Sequence, residues 1–427
     1  MLLKLTKADL LLKVKSTGIY LLVPIVNFGF SFFTSPIFAR YLTAEEFGYF
    51  GYYSSLINFV NIFFSLSFTT YYMSVYYKGT EVERNKTLLT LTSFLLLWNV
   101  AFLPAVYFLV LLFFKVSNAQ IPFYPFAILT FVAGSASVYK SFLQIEYRLA
   151  GKPLSYFFIV SGYRVLSIMA SLYFVVNLEM SLKGRMLGAL IVEALFMGIS
   201  LVYIYKKGLF TLDKKIIKDA IRVILPLLPA SLLYIPVLSF DNIVLERLHQ
   251  PAEMGLYNIG KGISSYVYVA LFPFYQAFEP DIYKHAVKND IKALRNISTL
   301  LVGFVVFSIL CFWVVSPFII DFLTAGKYND AVKYANTLVI TSGLMIVFSI
   351  FDAIINALQE TKKHLIINGI TMVFCLVSYY IGSLYFNQMG VAVASVLTYI
   401  FLILLQTLFI VKRYKNQGKI SSDLNLS

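Results

Sequence analysis

The sequence predicts an all-α integral membrane protein of about 12 transmembrane helices, arranged as two parallel six-helix repeats. Hydrophobic residues make up 59% of the 427 residues and charged residues only 13%, which leaves too little polar surface for a water-soluble protein of this length. Apolar runs of about 20 residues, enough to span a bilayer, recur along the chain. A pattern of polar residues in the first half also returns in the second half at a constant offset of 207 residues.

Twelve apolar runs are long enough to cross a membrane as helices. In the first half they are residues 17–39, 48–76, 87–114, 123–145, 154–178 and 186–205. In the second half they are residues 223–245, 255–283, 297–320, 334–358, 365–386 and 390–411. The fourth run is the weakest, because Lys140 and Glu146 lie within or beside it.

The duplication is clearest around the second and eighth spans. Arg247, Glu253 and Gly255 repeat Arg40, Glu46 and Gly48 at the 207-residue offset. Each glycine begins an apolar helix whose polar residues recur at helical spacing. They are Gly51, Ser54, Asn58, Asn61, Thr69 and Tyr72 in the first copy, and Asn258, Lys261, Ser265, Tyr268, Gln276 and Glu279 in the second. We expect these stripes to line a water-filled cavity between two lobes; the alternative is that they are helix-packing surfaces and interfacial tyrosines.

Lysine and arginine set the predicted topology. The great majority of the 35 Lys and Arg residues fall in the N-terminus, the even-numbered loops and the C-terminal tail. The positive-inside rule therefore makes both termini cytoplasmic, and six spans in each half make the repeats parallel. The basic residues are spread over short segments rather than gathered on one patch, which argues against a nucleic-acid partner.

The longest polar segment, residues 206–222, predicts the domain boundary. Its basic and aliphatic residues alternate at helical spacing, which is typical of an amphipathic helix lying among lipid headgroups on the cytoplasmic side. The alternative is an ordinary solvated linker. We therefore expect an N-terminal lobe over residues 1–205, a linker over 206–222 and a C-terminal lobe over 223–427.

Five charged residues are clear cases of a charge inside a predicted span, where an unpaired charge is costly and usually marks function or pairing. Arg164 and Glu193 lie at similar depth, and either a structural ion pair or a substrate site accounts for them. Asp241 and Lys261 also lie at similar depth, and we favour a cavity site because they belong to the duplicated segments. Asp352 stands alone near the inner end of the tenth span, where snorkelling into water suffices.

Residues for catalysis or cofactor binding are not recognisable. The outer loops are short, and the sequence lacks a nucleotide-binding glycine loop. Cys311 and Cys375 both lie within apolar spans, so neither a disulfide nor a metal site is indicated. We expect no catalytic residues, no metal and no cofactor, and therefore not an enzyme.

Three segments carry a resemblance to a known family. Residues 39–50 (ARYLTAEEFGYF), 240–245 (FDNIVL) and 251–261 (PAEMGLYNIGK) resemble the signatures of Wzx-type polysaccharide and O-antigen flippases. These belong to the multidrug/oligosaccharidyl-lipid/polysaccharide (MOP) exporter superfamily. The resemblance implies two lobes around a central cavity that opens alternately to either side. It also implies that the substrate is an undecaprenyl-pyrophosphate-linked oligosaccharide, an O-antigen or capsule repeat unit, flipped to the outer leaflet of the bacterial plasma membrane.

This interpretation assigns candidate roles to residues. Expected substrate-binding residues are Arg164, Lys261, Asp241, Glu193, Asn58, Asn61, Ser265, Gln276, Arg40 and Arg247, and coupling-ion candidates are Asp241, Asp352 and Glu193. Expected partners besides the lipid-linked oligosaccharide are membrane lipids, a polysaccharide polymerase and other assembly proteins. The alternative function is a multidrug or small-solute exporter of the same superfamily, driven by an ion gradient.

Overall fold

The computed structural model describes residues 7–226, 228–358 and 360–424, and all regular structure in these ranges is helical. The chain forms two compact units, divided between Leu228 and Pro229. The helices of the first unit are α1 Lys7–Tyr41, α2 Ala44–Ser65, α3 Phe68–Val75, α4 Glu81–Ser117, α5 Phe126–Leu149, α6 Pro153–Asn177, α7 Ser181–Tyr205 and α8 Lys214–Ile224. Those of the second are α9 Leu228–Ser239, α10 Asp241–Glu246, α11 Pro251–Val287, α12 Ile291–Thr324, α13 Ala331–Ala357 and α14 Thr361–Leu424.

Eight segments of the described chain are helical, long and apolar enough to cross a membrane. They account for the predicted first, third to sixth, ninth and tenth spans, and for the eleventh and twelfth together. The predicted second and seventh spans are instead interrupted, as α2–α3 and α9–α10, and the eighth is the continuous helix α11 with its polar stripe. The all-α membrane fold is confirmed, whereas the count of twelve spans stays a prediction.

Helix α14 contains a reversal that accounts for two predicted spans. Asn387 has non-helical backbone angles (φ 49°, ψ −137°). The rings of Phe374 and Phe401 stack with centroids 4.2 Å apart, so the segments on either side of Asn387 run antiparallel. A Cβ on Gly390 would lie 1.9 Å from the carbonyl oxygen of Gly382, so only glycine permits so close a backbone approach. The predicted 365–386 and 390–411 spans are thus two separate helices.

The duplicated helix lacks a backbone hydrogen bond at the same register in both units, although only the first copy is divided into two helices. In the first, Leu66 and Ser67 have left-handed backbone angles and separate α2 from α3. The backbone N–H of Ser67 donates to the Ser65 hydroxyl, so the Phe63 carbonyl accepts the Trp98 indole N–H at 2.8 Å instead. At the 207-residue offset from Leu66 the second unit has Pro273, inside α11. Proline has no N–H to donate, so this position also lacks a helical hydrogen bond.

The repeated glutamates fasten the N-terminal ends of these helices. Glu46 forms a capping box with Thr43 at the start of α2, and its second oxygen accepts the backbone N–H of Leu182 at the start of α7 at 3.1 Å. The equivalent Glu253 accepts the Tyr334 hydroxyl of α13 at 2.6 Å. The repeated glutamate of the signature therefore has a structural role in each unit.

Candidate functional site

Asp241 is the centre of a polar cluster in the second unit. It is the first residue of α10, directly after the break that ends α9, and is buried. Its Oδ2 accepts the Tyr257 hydroxyl at 2.8 Å and the Lys261 ammonium at 2.5 Å. Its Oδ1 accepts the backbone N–H of Asn242 at 2.9 Å. Asp241 and Lys261, expected from sequence to lie at similar depth, therefore meet as an ion pair.

The two members of this pair differ in exposure. The Asp241 side chain is 3% exposed, whereas the Lys261 side chain is 37% exposed. A buried carboxylate therefore pairs with the ammonium of a partly exposed lysine side chain. Beside it, the Asn258 amide donates to the Asn242 side-chain oxygen at 2.7 Å, which links α11 to α10 a second time. The arrangement can present a cation and amide groups to a polar or anionic molecule.

The predicted stripes are only partly exposed. Asn58, Asn61 and Gln276 are exposed, and Ser265 is half-buried with its hydroxyl donating to the Gly262 carbonyl of its own helix at 2.6 Å. In the first copy Gly51 and Tyr72 are buried instead. The expectation of one continuous polar face is wrong there, because the Tyr72 hydroxyl turns inward to donate to Glu146.

Glu193 and Arg164 do not pair with each other. Glu193 on α7 is buried, and the Lys140 ammonium on α5 lies 2.7 and 2.8 Å from its two oxygens. Lys140 also lies 3.1 Å from the centroid of the Tyr163 ring. Arg164 on α6 is exposed and donates through two nitrogens to the Ser31 hydroxyl of α1, at 3.1 and 3.3 Å. The cation that faces Glu193 is thus Lys140 of α5 and not Arg164.

Asp352 is not alone. On α13, its Oδ2 accepts the Asn356 amide at 2.8 Å, and its Oδ1 lies 3.3 Å from Nδ1 of His364 in the first turn of α14. The turn between the two helices is short enough to bring residues 352 and 364 together. Reaching water at the end of a span is therefore not the only explanation for Asp352, because the His364 ring faces its carboxylate.

The two signature arginines differ in their surroundings. Arg40 is exposed in the last turn of α1. Arg247 follows α10, and its Nε lies 3.6 Å from a carboxylate oxygen of the buried Glu246. Their expected role in substrate binding stays a prediction.

Sequence reasoning missed a second buried carboxylate in the first unit. Glu146 on α5 is 3% exposed and accepts both the Tyr72 hydroxyl and the Lys207 ammonium. The sequence contained a sign of both carboxylate clusters, because Lys140 and Glu146 made the fourth span look weak. Both residues lie in one helix, α5, and each is paired with an opposite charge on another segment: Lys140 with Glu193 and Glu146 with Lys207. Among the described residues, no group of three or more His, Cys, Asp and Glu could hold a metal ion.

Comparison with known proteins places this arrangement in a family. Residues 13–285, more than half of the chain, match the family described as polysaccharide biosynthesis protein. A search of curated proteins found no significant match.

Several solved structures share the fold over nearly the whole chain. An inward-facing MATE-family multidrug resistance transporter of the MOP superfamily matches with a TM-score of 0.69 and 14% identity, covering 94% of this chain and 98% of that one. The lipid II flippase MurJ in an inward closed conformation matches with a TM-score of 0.69 and 17% identity, covering 93% and 87%. The bent form of the Vibrio cholerae MATE transporter VcmN matches with a TM-score of 0.54 and 13% identity, covering 95% and 98%.

These identities are low, so the structural likeness establishes the fold, and the matched family establishes the relationship. Both agree with the superfamily that the sequence motifs predicted. The chain belongs to the polysaccharide biosynthesis protein family and is a multi-pass membrane protein with the fold of the MOP-superfamily transporters.

Proposed function

We propose that this protein flips an undecaprenyl-pyrophosphate-linked oligosaccharide from the cytoplasmic to the outer leaflet of the bacterial plasma membrane by alternating access. The observation that carries the proposal is the match of residues 13–285 to the polysaccharide biosynthesis family, in a chain with the fold of a lipid II flippase. In this proposal residues 1–205 and 223–427 are the two moving lobes. Both termini are cytoplasmic, and a polysaccharide polymerase receives the product.

The chemistry of the Asp241 cluster supports this substrate class. A pyrophosphate needs a cation, and charge-assisted hydrogen bonds from an ammonium to phosphate oxygens are strong. Lys261 is partly exposed, so its ammonium can donate to such a group without leaving Asp241. Because Asp241 already balances the lysine, the empty site carries little net charge. The neighbouring Asn258 and Ser265 are of the type that binds sugar hydroxyls.

The proposal is tested by flipping assays on the purified chain in liposomes. The substrate is a fluorescent polyprenyl-pyrophosphate oligosaccharide in the inner leaflet, and its appearance in the outer leaflet is measured. Lys261→Gln should reduce the rate strongly. The matched control is Lys284→Gln, an identical change at an exposed lysine of the same helix, which should leave the rate unchanged. If both variants flip the substrate at the same rate, Lys261 is not a substrate-binding residue.

A second candidate function has an observation of its own. The MATE-family transporter matches with the same TM-score as MurJ, 0.69. Liposomes that export organic cations along an ion gradient, but leave the lipid-linked oligosaccharide in place, would establish that alternative and overturn the proposal.

A further inference from the structure

The segment between α7 and α8 is fastened to α5 and α4 by two ion pairs. Lys207 donates to the buried Glu146 of α5. Asp213 caps α8 by accepting the backbone N–H of Lys215 at 2.8 Å, and its other oxygen lies 2.6 Å from the Lys86 ammonium of α4. The hydrogen bond from Lys86 lowers the pKa of Asp213, so the carboxylate stays ionised near neutral pH. The segment is therefore held in one orientation rather than being a free linker.

Helix α8 presents one face inward and the opposite face outward. Ala220 and Ile224 are fully or almost fully buried, and α8 packs against α3 and α4. With 3.6 residues per turn, the basic residues fall on the other side of the helix. They are all exposed: Lys214, Lys215, Lys218 and Arg222.

Apolar side chains are exposed beside this basic face. Leu209 is 87% exposed and Leu212 is 43% exposed, in the segment between the helices, and Leu225 at the end of α8 is 62% exposed. The ring of Phe210 stacks on Tyr205, the last residue of the membrane-spanning helix α7. Leu209 and Phe210 therefore lie at the end of a predicted span, where the hydrocarbon of the bilayer gives way to headgroups.

We propose that this surface, formed by Leu209, Leu212 and Leu225 with Lys214, Lys215, Lys218 and Arg222, binds anionic phospholipid of the adjoining leaflet. The leucines insert between acyl chains, and the four cations contact the phosphate groups. Exposed apolar residues beside basic ones match the chemistry of an anionic lipid, whereas a protein partner of acidic surface leaves the leucines without a counterpart. The inference is independent of what the protein transports.

The test measures lipid bound to the full-length chain in a neutral detergent by native mass spectrometry. The protein is titrated with dioleoyl phosphatidylglycerol and, separately, with dioleoyl phosphatidylcholine. We expect the wild type to retain the anionic lipid preferentially. Changing Lys214, Lys215 and Lys218 together to Gln should weaken that retention at least about 10-fold, since each cation near an anionic lipid surface contributes appreciably. Retention of phosphatidylcholine should not change.

The matched control changes Lys284, Lys288 and Lys292 to Gln, which removes the same charge from exposed lysines of the second unit. An equal loss in this variant would overturn the proposal, because net charge and not this surface would then bind the lipid. A second variant, Leu209→Ser with Leu212→Ser, keeps every charge and should also weaken retention. Wild-type protein that does not distinguish the two lipids would overturn the proposal outright.

Discussion

Removing one charge of the Lys140–Glu193 pair should destabilise the first unit, whereas removing both should not. The Lys140 side chain is 9% exposed and the Glu193 side chain 4%, so Lys140→Met or Glu193→Leu alone leaves one unpaired charge in the interior. Breaking a buried ion pair in this way costs about 3–5 kcal/mol, but replacing both partners by apolar residues of similar volume is often neutral or stabilising by about 1–4 kcal/mol.

The second unit gives a precedent for the double change. At the 207-residue offset from Lys140 and Glu193 it has Val347 and Ile400, both apolar, although Ile400 is 46% exposed whereas Glu193 is buried. The repeated fold therefore does not need a charge at either position. A single charge without its partner at either position lowers the free energy of unfolding. The double variant leaves no unpaired charge and therefore avoids this loss.

The assay is the thermal unfolding midpoint of the purified full-length chain in one detergent. A loss of 3–5 kcal/mol corresponds to a shift of roughly 6–20 °C, by the scaling for domains of 150–250 residues. The control is Arg164→Gln, a charge removal at an exposed position, which should shift the midpoint little. If the double variant is as unstable as the single ones, packing of Lys140 on Tyr163 is the cause instead. If the single variants are unchanged, water reaches the pair, and Glu193 is then a stronger coupling candidate.

Three further predictions concern access, charge and backbone. Single cysteines at the exposed stripe positions Asn61 and Gln276 should react with a water-soluble thiol reagent; protection of both would make the stripes packing or lipid-facing surfaces. His364→Asn should lower the rate of transport without lowering membrane abundance, because it removes the ring that faces Asp352 at 3.3 Å; an unchanged rate would exclude the pair from coupling. Pro273→Ala restores a helical hydrogen bond in α11 and should raise the unfolding midpoint, since an interior proline costs about 3 kcal/mol; a lower midpoint would mean that the fold requires proline at this position.

The fold class and the superfamily could be predicted because both depend on patterns that survive sequence change. Apolar runs of spanning length and the 207-residue repeat are features of the whole chain. Three short segments, residues 39–50, 240–245 and 251–261, were enough to identify the superfamily. The interruptions could not be placed in this way. Leu66 and Ser67 are ordinary residues for a helix, and their left-handed backbone depends on contacts with neighbouring helices, such as the Trp98 hydrogen bond.

For the candidate site, the sequence predicts which charged residues lie at similar height in the membrane. Sequence gives the height of a residue in the membrane but not which neighbour its side chain faces. That was sufficient for Asp241 and Lys261, which lie on consecutive segments. It was insufficient for Glu193, whose partner Lys140 lies on a helix distant in sequence. Because Lys140 was interpreted only as a weakness of the fourth span, it was not considered as the partner of Glu193.

The ion pairs distinguish the two units from each other. The first unit pairs Lys140 with Glu193 between α5 and α7, and the second pairs Asp241 with Lys261 between α10 and α11. At the positions equivalent to each pair the other unit has uncharged residues, Thr34 and Ser54 in the first unit and Val347 and Ile400 in the second. Neither pair is therefore a requirement of the repeated fold.

The missing hydrogen bond of the duplicated helix behaves in the opposite way. Both units lack a helical hydrogen bond at or next to one register, the first at the left-handed residues Leu66 and Ser67 and the second at Pro273, which has no N–H to donate. An unmade backbone hydrogen bond is costly in a membrane helix, yet each unit loses one here through a different residue type. This loss is thus common to the two repeats, whereas the ion pair of Lys261 with Asp241 is confined to the second, where we place substrate contact.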